Sequence, residues 1–253
     1  MNRRAFSIVE IMVVISVIGL LVGIAIPALS SVSAAGRSSR CQHNLRQMAV
    51  AAQTYAATYD AYPVGIRYEK INGVLHHLSW DWVTKGANQI VSPGALWAFA
   101  NNPGEVLQCP DYHGPPNAGE EFTGYNYNTT YIGGESPFMQ LGWKPVRPRV
   151  PPHACSRSSQ CAMFGDGGRK GGASRYMRAP MRSEGPLVPL SAIYNGGQAF
   201  RHSHATNIAY IDGHIGAADR PCEGKLATGA LLDQMGFPSN GFLSDDDHAY
   251  DPR

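Results

Sequence analysis

"FSIVEIMVVISVIGLLVGIAIPAL", residues 6–29, decides how this chain is built. About 20 consecutive apolar residues span the hydrocarbon core of a bilayer, and this stretch is long enough to do so. Arg3 and Arg4 precede it, so its N-terminal end is expected on the cytoplasmic side and the rest of the chain outside. One residue breaks the pattern. Glu10 puts a carboxylate into the apolar run, at a cost of about 2.5 kcal/mol or more near the bilayer centre. An acid kept inside a membrane segment points to a function, because insertion alone selects against it.

The helical pattern runs past the apolar stretch. Leu45, Met48, Ala49, Ala52, Tyr55, Ala56 and Tyr59 recur at helical spacing, with Arg37, Arg40, Arg46 and Gln53 between them. Pro63 disfavours helical geometry at Tyr62 and ends the pattern there. A helix from residue 6 to residue 60 is about 80 Å long. Pro27 is expected to kink it or melt it locally. The first half is apolar all round; the second carries one apolar stripe for a globular body to cover. The chain thus divides into residues 1–5, a short positive start; 6–29, an apolar helix long enough to span a membrane; 30–62, its amphipathic continuation; and 63–253, a β-rich head.

Composition agrees. Of 253 residues only 16% are charged, while 28 Gly and 18 Pro favour short strands joined by turns. A formal net charge of +2 with no basic stripe gives no reason to expect a nucleic-acid partner. The five cysteines form neither a CxxC nor a zinc-finger spacing. In an exported head disulfides are permitted, and an odd number leaves a thiol unpaired.

An ordinary secretory signal would be cut after a small-x-small site, and "ALSSVSAAG" (residues 28–36) offers one after Ala35. Glu10 argues for a different signal. "RRAFSIVEIMVVISVIGLLVGIAIPAL" resembles the class III signal of type IV prepilins and type II secretion pseudopilins. The resemblance implies cleavage between Ala5 and Phe6 by a prepilin peptidase that N-methylates Phe6. Ala5 stands where the family usually has Gly. Pro27 matches the family's helix-kinking proline. The resemblance also implies that Glu10 meets the Phe6 amine of a neighbouring subunit, an ion pair that would set the register of each added subunit.

In the head, "VLQCPDYHG" starts like a strand and breaks at Pro110; residues 94–100 suggest a short helix; "GYNYNTTYIGG" alternates like a half-buried strand; "KPVRPRVPPHA" is a proline-rich connector; and "QCAMFGDGG" reads as a strand ending in a turn on Asp166. In "AFRHSHATNIAYIDGHIGAAD", "NIAYI" and "HIGAA" flank Asp212-Gly213, the signal of a type I′ hairpin. His202 precedes Asp212-Gly213 with nine residues between. This His-x9-Asp-Gly spacing resembles a motif of a large bacterial group of prepilin-like proteins. The same group carries a Cys-Pro-x-Asp-like stretch, matched by Cys109, Pro110 and Asp111, and an Asn-Tyr region like "YNYN".

Three sets of residues invite chemistry. His202, His204, Asp212 and His214 could hold a transition metal. The simpler reading, which we prefer, makes Asp212 a turn residue with His202 bonded to backbone near that turn. Asp245, Asp246, Asp247 and Asp251 are hard oxygen donors in "SDDDHAYD" and are the calcium candidates. Cys155 and Cys161 flank a short polar loop and are the first candidate disulfide, with Cys41 and Cys109 second. No G-x-S-x-G, HExxH or P-loop is present, and no enzymatic role is expected.

The expected fold is α+β and pilin-like, a long kinked N-terminal helix packed on a small antiparallel sheet. The expected role is a structural subunit of a type IV pilus-like or type II secretion filament. Its expected partners are itself, other pilin-like subunits, the prepilin peptidase/methyltransferase and the inner-membrane assembly platform. It would sit in the inner membrane first and in a periplasmic or extracellular filament afterwards. Two other readings stay open: a minor adhesin at a filament tip, and a membrane-tethered metalloprotein.

Overall fold

The structure, a computed structural model, describes residues 7–86, 89–100, 106, 108–114, 124–136, 149–181 and 196–253. Helix α1 (Ile8–Tyr59) is 52 residues long, hence about 78 Å. A capping box starts it. Ser7 Oγ accepts from Glu10 N at 3.2 Å, and Ser7 N donates to Glu10 Oε2 at 2.8 Å. Asp60, in the left-handed region at φ 50°, ends it.

Of the two effects expected at Pro27, a kink or a local melting, the melting does not occur: helical assignment is continuous across it. Ser30 Oγ and Ser31 Oγ donate to the carbonyls of Pro27 and Ala28 at 2.8 and 2.9 Å, so both hydroxyls are satisfied by the helix's own backbone.

Exposure separates the two halves of α1. Residues 7–33 are exposed throughout. The first buried residue is Cys41, and Leu45, Met48, Ala49, Ala52 and Ala56 follow on the same face. The exposed stem therefore extends several residues beyond the expected boundary at 29.

The head holds two sheets. Strands β1 (Ile66–Ile71), β2 (Val74–Ser79), β3 (Trp82–Lys85) and β4 (Gln89–Pro93) form an antiparallel meander. Residues 95–99 turn once as a 3₁₀ helix where a short helix was expected. Next come β5 (Tyr125–Asn128), β6 (Glu135–Ser136), β7 (Ala162–Gly168), β8 (Tyr176–Met177), β9 (Gly197–Ala199), β10 (Thr206–Tyr210) and β11 (Ile215–Ala218). Helix α2 (Gly229–Met235) and β12 (Asn240–Gly241) complete the head. Strand β6 adds in parallel to β1. The second sheet runs β11-β10-β7-β5-β8, with β9 joined to β7 and β12 to β9.

The second half of α1 lies on β7, β10 and the 3₁₀ turn. One core gathers the buried face of α1 with Trp80, Leu96, Tyr127, Phe164 and Ile211. A second core gathers Met177, Ile208, Leu231, Met235, Phe242 and Tyr250. Ile208 and Ala209, neighbours on β10, fall in different cores, as the two-residue period of a strand requires. The architecture is α+β, with a long helix on largely antiparallel sheets.

Two strands differ from the reading of their sequence. "YNYN" is buried at all four positions rather than half-buried. Asp166 does not turn the chain; it sits inside β7, opposite Tyr125. The glycines around it allow close approach. A Cβ at Gly167 would lie 2.0 Å from the carbonyl oxygen of Ser174.

A candidate metal centre where the helix meets the head

Four side chains from four separate parts of the chain converge beneath α1. Cys41 comes from α1, Cys109 from the irregular "CPDY" segment, Asp166 from β7 and His202 from the turn before β10. All four are buried, and one ligand atom from each lies within 4.8 Å of every other. Asp166 Oδ1 is 3.1 Å from Cys41 Sγ, 3.6 Å from Cys109 Sγ and 3.4 Å from His202 Nε2. His202 Nε2 is 3.7 Å from Cys109 Sγ.

Local backbone aims these groups. His202 and Ala205 exchange two backbone hydrogen bonds at 3.0 Å, and the two residues between them, Ser203 and His204, have φ of 52° and 68°. This is a two-residue turn of the I′ kind built without glycine, at a cost of order 1–2 kcal/mol per residue. It leaves His204 exposed at the tip and drives His202 inward, so the two histidines do not share a face. Asp166 Oδ2 accepts the backbone N–H of Asn207 at 2.8 Å. Asp111 Oδ2 lies 2.7 Å from His202 Nδ1, and Arg37 of α1 is paired to Asp111 in turn. An ionised Asp111 holds the proton on Nδ1 and so aims Nε2 at the cluster.

The electrostatics follow. Burial pushes the Cys41 thiol far up. Cys109 is held down at about 6 by the hydrogen bond from Cys41, against burial and with help from His202. Burial opposes charge on His202, yet Asp166 and Cys109 raise it to about 10. Burial also opposes charge on Asp111, and Arg37 and His202 still hold it below the ordinary carboxylate range. Two thiols, one carboxylate and one imidazole around a common point are a donor set for a borderline-soft divalent cation.

The His202, His204, Asp212 and His214 group, the less favoured reading of the sequence, is not brought together. His202 joins the cluster, but Asp212 and His214 pair with each other on the surface at 2.6 Å. Asp212 is a turn residue, as expected; His202 does not bond to backbone near that turn with its side chain. The turn is also not type I′. Gly213 N donates to Tyr210 O at 2.9 Å and Tyr210 N to His214 O at 3.0 Å, with positive φ only at Gly213 (88°). That is a three-residue hairpin loop closed by a left-handed glycine. Gln53 of α1 donates to the Ile211 carbonyl in this loop at 2.8 Å. The two ends of the His-x9-Asp-Gly spacing thus meet α1 at two places, near Cys41 and at Gln53, with β10 lying along the helix between them.

The calcium candidates do not converge. Asp245 accepts from Gly224 N, Asp246 from His248, Asp247 from Met181 N and Tyr131, and Asp251 from Arg253. Each carboxylate serves a different segment. No bridge joins Cys155 to Cys161; all five cysteines are free. Cys161 Sγ instead donates to Tyr250 O at 2.9 Å, and Cys155 Sγ to Pro151 O at 3.8 Å. Ala5 and Phe6 lie outside the described residues.

A protein-family model described as "Protein of unknown function (DUF1559)", SBP_bac_10, matches residues 30–166. That is more than half of the chain. The chain belongs to the DUF1559 family. The family is associated with pilin-like proteins. No curated protein and no solved structure matches this DUF1559 chain. The matched region contains Cys41 and Cys109, ends on Asp166 and stops short of His202.

Sequence reasoning placed Cys109, Asp111 and His202 in motifs but missed Asp166 as a site residue. Its one available signal was an acid inside an otherwise apolar, glycine-rich strand.

Proposed function

We propose that this DUF1559 chain is a structural, non-enzymatic subunit of a type IV pilus-like or type II secretion filament. It inserts in the inner membrane through the stem of α1, with its N-terminus cytoplasmic, and is drawn into a periplasmic or extracellular filament. The observation that carries this reading is the exposure of α1. Residues 7–33 cover none of their own head, and the large side chains Ile18, Leu20, Leu21, Ile24 and Ile26 are all more than half exposed. Helix α1 is also long and apolar enough to cross a membrane. Such a surface needs lipid before assembly and neighbouring helices after it.

Glu10 acquires a specific task in this reading. In the single subunit its carboxylate accepts the Ser7 N–H. After cleavage at Ala5, the Phe6 ammonium of an incoming subunit offers a charged donor, and Glu10 would exchange its own cap for that partner. A prepilin peptidase/methyltransferase would prepare Phe6, an assembly platform would present the subunit, and other pilin-like subunits could join the same filament.

Glu10→Leu tests it. Synthesis and insertion should persist, because removing the acid saves about 2.5 kcal/mol at the membrane centre. Polymer sheared from cells should be lost, since an unpaired buried ammonium costs on the order of 3–5 kcal/mol. Normal filaments from this variant, or a mature N-terminus at Gly36, would refute the proposal.

A further inference from the structure

We propose that Cys41, Cys109, Asp166 and His202 hold one zinc ion in a structural site that fastens α1 to the head. This does not depend on the filament reading. Zinc bonds of about 2.0–2.3 Å to nitrogen, oxygen and sulfur place tetrahedral ligands about 3.3–3.8 Å from one another. Four of the six edges of the cluster measure 3.1, 3.4, 3.6 and 3.7 Å. Three of these fall within that range, the Cys41–Asp166 edge is slightly shorter, and the remaining two edges lie within 4.8 Å, so a small adjustment of the Cys41 side chain would complete the tetrahedron.

Chemistry and shape agree with the spacing. All four ligands come from the protein and are buried, which is the closed arrangement of a structural site; a catalytic zinc keeps an open position. Asp111 orients His202 through Nδ1, the outer partner that zinc-bound histidines use. Three anionic ligands exceed the charge of the ion, and the Arg201 guanidinium lies close enough to stabilise charge on Cys109. Loading releases to solvent whatever protons the two sulfurs and His202 Nε2 carry, and needs no oxidant. Asp166 is fully buried; its Oδ2 is held by the Asn207 N–H, which leaves Oδ1 facing the two sulfurs and the His202 imidazole at 3.1–3.6 Å, the position of a zinc ligand.

Only Cys41 belongs to α1. The other three ligands belong to the head, so the ion would bridge stem and head at the point where the helix first becomes buried. A disulfide between Cys41 and Cys109 is the rival. It would tie the same two segments but leave Asp166 and His202 without a common partner.

The test uses the full chain purified in detergent. Elemental analysis is expected to find one zinc per chain. Cobalt(II) in its place should show the visible bands of a tetrahedral site and a thiolate charge-transfer band. X-ray absorption of the zinc form should show two sulfurs and two lighter ligands. Zinc should protect Cys41 and Cys109 from alkylation while Cys155 and Cys222 react. Cys41→Ser and Cys109→Ser should each bind less than about a tenth of the zinc, whereas Cys222→Ser keeps it all. Asp111→Asn, at a positioning residue, should weaken affinity about 10–100-fold with unchanged stoichiometry.

Should the cysteine variants not fold, the cobalt and absorption spectra of the unaltered chain still decide. A chain that takes up no metal after reduction and incubation with zinc overturns the proposal. So does a Cys41–Cys109 disulfide in protein trapped directly from cells, or zinc retained when both cysteines are replaced.

Discussion

The two halves of α1 are one continuous helix with opposite relations to the rest of the molecule. In the stem, Val17 and Leu20 are 51% and 67% exposed; in the collar, Leu45 and Met48 are fully buried. The side chains differ to match. The stem carries Ile, Val and Leu on every face. The collar's buried face is built largely of alanine, at 49, 51, 52 and 56, which lets the helix lie close on β7 and β10. Apolar surface that the chain covers itself becomes stability of the fold. Apolar surface that it leaves bare is a requirement for something outside it.

Substitutions of similar chemistry should therefore read out differently on the two sides. The largest effect on the head is expected from Leu45→Ala, which opens a cavity in the first core and should lower unfolding free energy by about 2–5 kcal/mol in a denaturant titration of the detergent-solubilised chain. Gly213→Ala should cost about 1–2 kcal/mol, because φ there is 88° and the new methyl would meet Gln53 Nε2 at 3.0 Å. Gln53→Ala removes one hydrogen bond between collar and loop and should cost about 1 kcal/mol. Val17→Ala, in the stem, should leave the unfolding of the head within about 0.5 kcal/mol of the parent. A large loss of head stability from Val17→Ala would erase the distinction; so would an unperturbed melt from Leu45→Ala.

Much of this helix was legible in the sequence. Leu45, Met48, Ala49, Ala52 and Ala56 were picked out by spacing and are all buried; Tyr55 is half-buried and Tyr59 exposed, where the stripe runs out past the sheet. The capping box is also written in "SIVE", where Ser7 and Glu10 stand three apart at the start of the helix. The Asp212-Gly213 hairpin was found, though its turn type belongs instead to Ser203-His204. The site was harder to read. Its ligands at 41, 109, 166 and 202 carry no local spacing, and only the sheet brings them together. "FGDGG" has the composition of a turn, and nothing local shows that its glycines are there to let Asn126, Gln198 and the backbone crowd against a buried strand.

The collar's contacts also set an order of events. Gln42 bonds to Asn207 at 3.1 Å across 165 positions of chain, and His202 reaches Cys41 only through the same late segment. Contacts so distant in sequence close slowly and late. A chain threading outward behind a membrane-held stem would thus carry the part of the collar that β7 and β10 cover bare until most of the head had emerged, with only the segment around Leu96 there to cover the rest earlier. Under the proposed function, a stem firmly set in its head would mark a subunit whose synthesis and export are complete.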